Sequence, residues 1–209
     1  MTKAKRSRRG LKAVLLVAVV AGALAILRPW TVVPIQSTPA GTFDPNGYVT
    51  SIWESRVVPS AERTAIELQT FTQGMVGAAR TDGGTVRAVF VRGTARVSEV
   101  DRKSRVGLAR LQPLRATDRQ AAIQIGPVLR GTALRDALDF IRFTDFVNQL
   151  EFASVSSALN ERVMSDVLGP LDIDGLAGRE VTFVGAAPLS AASIVEIVPV
   201  RLQVTGGAK

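Results

Sequence analysis

Ala88-Val89-Phe90-Val91-Arg92-Gly93-Thr94-Ala95-Arg96-Val97-Ser98-Glu99-Val100 is the stretch on which the fold class turns. Val86, Ala88 and Phe90 alternate with Arg87, Val89 and Val91, and Gly93, Ala95, Val97 and Val100 prolong the extended pattern. A period of two over this length predicts one long strand, bent at Gly93. Downstream, Asp101 to Ser104 is a polar turn, Val106, Leu108 and Leu111 read as an antiparallel partner ending at Pro113, and Ala121, Ile123 and Ile125 make a third strand stopped by Gly126-Pro127. The result is a three-stranded meander.

From Thr132 the period changes. Thr132 is read as the cap of a helix over 133–141, and Thr144 as the cap of a longer one carrying Val147, Leu150, Val155, Leu159, Val163 and Leu168 before Gly169-Pro170. Strands return at 180–185 and 194–204. Three strands, a helix and two strands describe a mostly β fold with helices (α+β): an OB-fold-like, five-stranded Greek-key barrel with a long helix between strands 3 and 4, occupying 83–205. Gly93, Gly126 and Gly185 mark bends. Upstream, over 43–82, a helical pair is expected: Asp44-Pro45 starts a helix with Tyr48, Val49, Ile52, Trp53 and Val57 at helical spacing up to the breaker Pro59. Ser60 then caps a second helix with the stripe Thr64, Ala65, Leu68, Phe71 and Met75.

The net charge of +8 has a local origin. Lys3, Lys5, Arg6, Arg8, Arg9, Lys12 and Arg28 precede residue 29 with no acid among them, so these seven cations leave +1 for the rest. Ala13 to Leu27 is an uncharged apolar run closed by Arg28-Pro29-Trp30. Fifteen helical residues span about 22 Å against a hydrocarbon core of about 30 Å, and Leu11, Trp30, Val32 and Val33 add apolar length at the ends. Residues 1–30 thus read as a basic head and a signal anchor or signal-peptide core, with 31–42 as linker. Ala21-Gly22-Ala23 and Ala23-Leu24-Ala25 have the small residues that cleavage requires. An uncleaved anchor is the favoured reading, putting the segment 13–27 in the membrane and the C-terminal domain in the periplasm or its equivalent outside the cytoplasmic membrane.

Without cysteine or histidine, thiolate nucleophiles, disulfides, Cys/His zinc sites and serine–histidine triads cannot be built from these 209 residues. No cofactor is expected, and no enzymatic activity. The densest polar segment follows the third strand. Arg130 and Arg135 supply forked donors, Thr132 a hydroxyl at a helix start, and Asp136, Asp145, Asn148 and Gln149 acceptors or amides. Such a set suits a carboxylate, phosphate or polyol, and equally an ion-paired junction between helix and barrel. A carboxylate-based hydrolase drawing on Asp136, Asp139, Asp145 and Glu151 has only spacing in its favour. Nucleic acid is not expected as a partner, because the span from Arg96 to Ile125 carries seven cations but no aromatic residue for base stacking. Asp172-Ile173-Asp174-Gly175 reads as a turn, lacking the further oxygens of a calcium loop.

Several stretches go beyond composition: Phe43-Asp44-Pro45 through Tyr48-Val49, Ser51 to Pro59, Gly93 to Val97, the block Ile123 to Ala137, Phe140-Ile141, Phe146, Asn148-Gln149, Phe152-Ala153, Ala158-Leu159-Asn160 and Val198 to Leu202. From about Val32 to Val204 the chain resembles the family called domain of unknown function 2291, predicted bacterial periplasmic lipoproteins without an established activity. Its members are often encoded beside sugar ABC transporters, which implies an accessory part in solute uptake, with transporter components or a small polar solute as partner. The family's lipobox cysteine, expected just before Val32-Val33-Pro34-Ile35, is missing here. The 13–27 segment is then the expected tether. A purely structural scaffold of the cell envelope is the alternative.

Overall fold

The computed structural model describes residues 43–73, 80–81, 84–85, 87–113, 119–190 and 192–206. The apolar run 13–27, the 31–42 linker, Met75 and Arg115 lie outside them. Among the described residues no helix is long and apolar enough to cross a membrane.

Strand β4, Ala88–Asp101, is the long strand the alternation predicted. Phe90 and Val91 are both buried, so this part of the strand is covered on both faces, whereas beyond Gly93 only Ala95 and Val97 point inward. β5 (Leu108–Leu111) and β6 (Gln120–Gln124) follow antiparallel, and β7 (Glu180–Pro188) and β8 (Ile194–Gly206) complete the set. The strands run β4-β5-β6-β8-β7, with β6 and β8 parallel, and β7 pairs back onto β4 from Ala88↔Pro188 to Arg96↔Glu180. This pairing closes the sheet into the five-stranded Greek-key barrel that the order of elements predicted.

Gly93 pairs with Phe183 in unbroken register, and a register shift in β4 falls between Val97 and Glu99, where its partner is β5. Gly185 does mark a shift, between β7 and β8, where a Cβ would lie 2.6 Å from the Val198 carbonyl oxygen. Close backbone approach, which only glycine permits, sets this corner. Strand β1 (Ile66–Glu67) adds a short parallel edge to β4, and β2 (Arg80–Thr81) pairs antiparallel with β3 (Gly84–Thr85).

The helical expectations need four corrections. Pro59 does not break the first helix: α1 (Pro45–Ile52) runs through a π-helical turn, Trp53–Val57, into α2 (Val58–Thr64). The i→i+4 ladder is already interrupted there, since Val58 N–H donates to the Trp53 carbonyl, so a proline one residue later breaks little. The second stripe survives only as α3 (Leu68–Thr72), whose Leu68 and Phe71 are buried. The helix expected over 133–141 is a single turn, α4 (Ala133–Asp136). Leu134, Leu138 and Ile141 still reach the core, from tight i→i+3 turns, because burial outweighs propensity in so short a segment.

The fourth correction concerns the long helix. Thr144 does not cap it; Phe143–Asp145 is a separate 3₁₀ turn, and α5 (Gln149–Arg162) is capped by Asn148, whose side chain accepts from Glu151 N–H at 2.9 Å. Glu151 answers by accepting from Val147 N–H at 3.1 Å. Asn148 therefore caps the helix, and Glu151 ties down the residue before the cap. The helix continues as a π-helical segment, Val163–Leu168, and buries Val155, Leu159 and Val163 at four-residue spacing. It lies between β6 and β7 in the chain, in contact with α1 through pairs such as Arg162 with Thr50.

Candidate functional site

The block after β6 turns at Gly126, whose φ of +79° requires glycine, and returns along β6 and β8. Gln124, the last residue of β6, is 97% buried and organises this return. Its carbonyl oxygen accepts from Arg130 N–H at 2.8 Å, and its amide nitrogen donates to the Arg130 carbonyl at 3.3 Å and to Glu196 Oε2 at 3.1 Å. The Arg130 guanidinium donates to both oxygens of Glu196, at 3.1 and 3.2 Å. One buried amide thus fixes a half-exposed ion pair at a strand end.

Two residues further on, Thr132 Oγ1 donates to Asp136 Oδ2 at 2.7 Å. The other oxygen of Asp136 belongs to Arg135, held by Nε at 3.0 Å and Nη2 at 2.6 Å. Arg135 itself is buried, donates to the Phe152 carbonyl and stacks over the Phe152 ring at 3.8 Å. It is the fastener between α4 and α5, with its donors consumed internally.

Arg130, Thr132 and Asp136 border one open cleft of about 440 Å³, together with Glu196, Gln124 and Arg87. Pro188, Leu189, Ile194 and Val198 provide its apolar wall. The expected polar set is therefore divided. Arg130, Thr132 and Asp136 come together on the cleft, and Arg135 locks Asp136 in place. Asp145, Asn148 and Gln149 do not line it. Asp145 accepts from Arg142 N–H at 3.2 Å and pairs with its guanidinium at 3.4 Å, Asn148 caps α5, and Gln149 is an exposed first-turn residue.

Sequence reasoning missed Gln124 and Glu196. Each is a lone polar residue in an otherwise apolar strand, Ala121 to Ile125 and Ile194 to Val198, and that interruption is the signal that marks them. Three of the four carboxylates of the hydrolase reading are engaged, Asp136 by Arg135 and Thr132, Asp145 by Arg142, and Glu151 by Val147 N–H and Asn148, and the fourth, Asp139, is exposed. Among the described residues no group of three acidic side chains is placed to hold a metal ion. On the β5–β6 side, Arg110 pairs with Glu99 and Asp101, Arg102 with Asp174, and Arg119 donates to backbone carbonyls of Ser190 and Ala192. The Asp172–Gly175 segment is a turn closed by Gly175 N–H on Asp172.

A five-stranded barrel in the order β4-β5-β6-β8-β7, closed by the pairing of β7 with β4 and with a helix after its third strand, defines an OB-fold domain. A solved OB-fold protein from Thermotoga maritima is similar to it, with a TM-score of 0.61, 17% identity, and coverage of 79% of this chain and all of the other. The chain belongs to the predicted periplasmic lipoprotein family, domain of unknown function 2291, whose model matches residues 15–203. That membership points to a place outside the cytoplasm. None of the curated proteins matches in sequence.

Proposed function

We propose that this protein is a non-enzymatic accessory module, tethered by residues 13–27 to the outer face of the cytoplasmic membrane, which binds a small polar solute in the Arg130–Glu196 cleft. The observation that carries the reading is the cleft itself, where a guanidinium, a hydroxyl and two carboxylates held in fixed positions face an apolar wall. Alternating donors and acceptors beside an apolar surface suit a sugar or polyol, whose rings present both. A sugar ABC transporter would be the consumer of such a solute, in keeping with the resemblance. Engagement of Asp136, Asp145 and Glu151 in ion pairs and caps weighs against a carboxylate-based hydrolase.

The test is a thermal-shift screen of the full chain in detergent against hexoses, polyols and their phosphates. A bound solute at about a hundred times its Kd adds about 2.7 kcal/mol of stability, a shift of several degrees for a domain of this size. Arg130→Ala should abolish the shift. If no member of the panel moves the melting temperature, the structural-scaffold alternative takes its place.

A further inference from the structure

Among the described residues the large apolar side chains left exposed are Val128 at 44%, Phe143 at 54%, Val147 at 88% and Leu150 at 79%. Three of these four fall within eight residues of chain. Scattered exposed apolar residues are ordinary, but a group of them on one loop marks a contact surface.

The loop is held rigidly rather than left to collapse. Asn148 and Glu151 cap each other's ends, Glu151 also holds Val147 N–H, and Asp145 holds Arg142 N–H. Its own Phe143 and Phe146 rings pack on Phe152 at 5.5 and 5.6 Å. This framework keeps Val147 and Leu150 facing outward when burying them would otherwise be favourable.

The place of the loop supplies its partner. Phe43, where the described chain begins, packs edge-on against Phe146 at 5.4 Å, and Tyr48 joins both. The apolar run ends at Leu27, so 15 residues, 28–42, separate it from Phe43. On the tether reading the chain therefore enters the domain beside Phe146, and the Phe43 face, with the loop upon it, is the part of the domain joined to the membrane by the shortest stretch of chain.

We propose that the Phe143–Leu150 loop inserts its apolar tip into the headgroup region of the membrane, as a second contact beside the tether. This rests on the tether reading of residues 13–27. Arg142 is matched by Asp145, and Glu151 sits beside the tip, so the contact is apolar insertion and not attraction to anionic lipid. It orients the barrel on the membrane surface.

The absence of cysteine makes the test clean, because one introduced thiol labels one site. Full chain carrying Val147→Cys, or Lys103→Cys on the exposed turn between β4 and β5, is labelled with an environment-sensitive fluorophore. Each is then reconstituted into phosphatidylcholine vesicles and into vesicles with added phosphatidylglycerol. The protein should float with the vesicles, and the label at 147 should shift to the blue and be quenched by a lipid-borne nitroxide in both compositions. The label at 103 should stay in water. Flotation with both labels wet overturns the inference and leaves the tether standing. Failure to float overturns the tether and the inference with it. A label at 147 that is wet in pure lipid and shielded only in native membranes means that a protein covers the loop, which overturns lipid insertion.

Discussion

Two polar segments only six residues apart in the chain, Gln124–Asp136 and Arg142–Glu151, have opposite designs. In the first, a buried amide and a buried guanidinium hold Arg130, Thr132, Asp136 and Glu196 at the rim of a cleft. In the second, almost every polar group satisfies backbone: Asp145 a turn, Asn148 and Glu151 a helix start. Similar residue types at similar density therefore produce a candidate site in one place and helix punctuation in the other. What separates them is whether barrel strands deliver a second set of polar groups from far away in sequence, as β8 delivers Glu196.

The largest effect that probes this contrast is Arg135→Ala. Removing the guanidinium leaves Asp136 shielded and unpaired and removes the ring contact with Phe152, so a loss of about 3–5 kcal/mol is expected in denaturant titration. A loss below 1 kcal/mol would break the claim that the cleft wall depends on an internal fastener. Asn148→Ala comes next: losing a cap costs about 1 kcal/mol, a drop of about 2–4 °C, and should leave solute binding unchanged. Loss of binding in this variant would return Asn148 to the site. Arg130→Ala should behave in the reverse manner, with less than about 1 kcal/mol lost from a pair whose arginine is 65% exposed, and with the solute-dependent shift gone.

The smallest effect is confined to alkaline pH. Burial lifts the Tyr48 hydroxyl above the usual tyrosine range, Arg56 opposes the shift and Asp145 adds to it. The unfolded chain releases this proton first. Stability from Tyr48 is accordingly complete below about pH 10 and is lost as the pH climbs through the folded-state value. Since Tyr48 is the only tyrosine, its phenolate absorbance reads the midpoint directly, and Asp145→Asn should lower that midpoint. An unchanged midpoint would detach Asp145 from the aromatic cluster around Phe146.

Much of the barrel was legible because an inward-outward period of two survives in β5, in the first half of β7 and in the later parts of β4 and β8, and because Gly126-Pro127 and Gly169-Pro170 punctuate it. The Asn148 cap was open to reading too, since Asn is a favoured cap residue, though the spacing of apolar residues drew the boundary to Thr144. Passage of the helix through Pro59 was not, since the π-turn that accommodates it is settled by packing of Trp53 and Val57. The cleft was half legible: Arg130, Thr132 and Asp136 are local to one another, while Glu196 lies 66 residues beyond Arg130.

By itself, the sequence determined the order of strands and helix, the concentration of charge before residue 29 and the exclusion of cysteine and histidine chemistry, because these depend only on which residues occur and on local periodicity. The tertiary structure alone decided which polar groups meet. Closure of β7 onto β4 and the parallel pairing of β6 with β8 place Gln124 beside Glu196, and no local pattern specifies a contact made across the closed sheet.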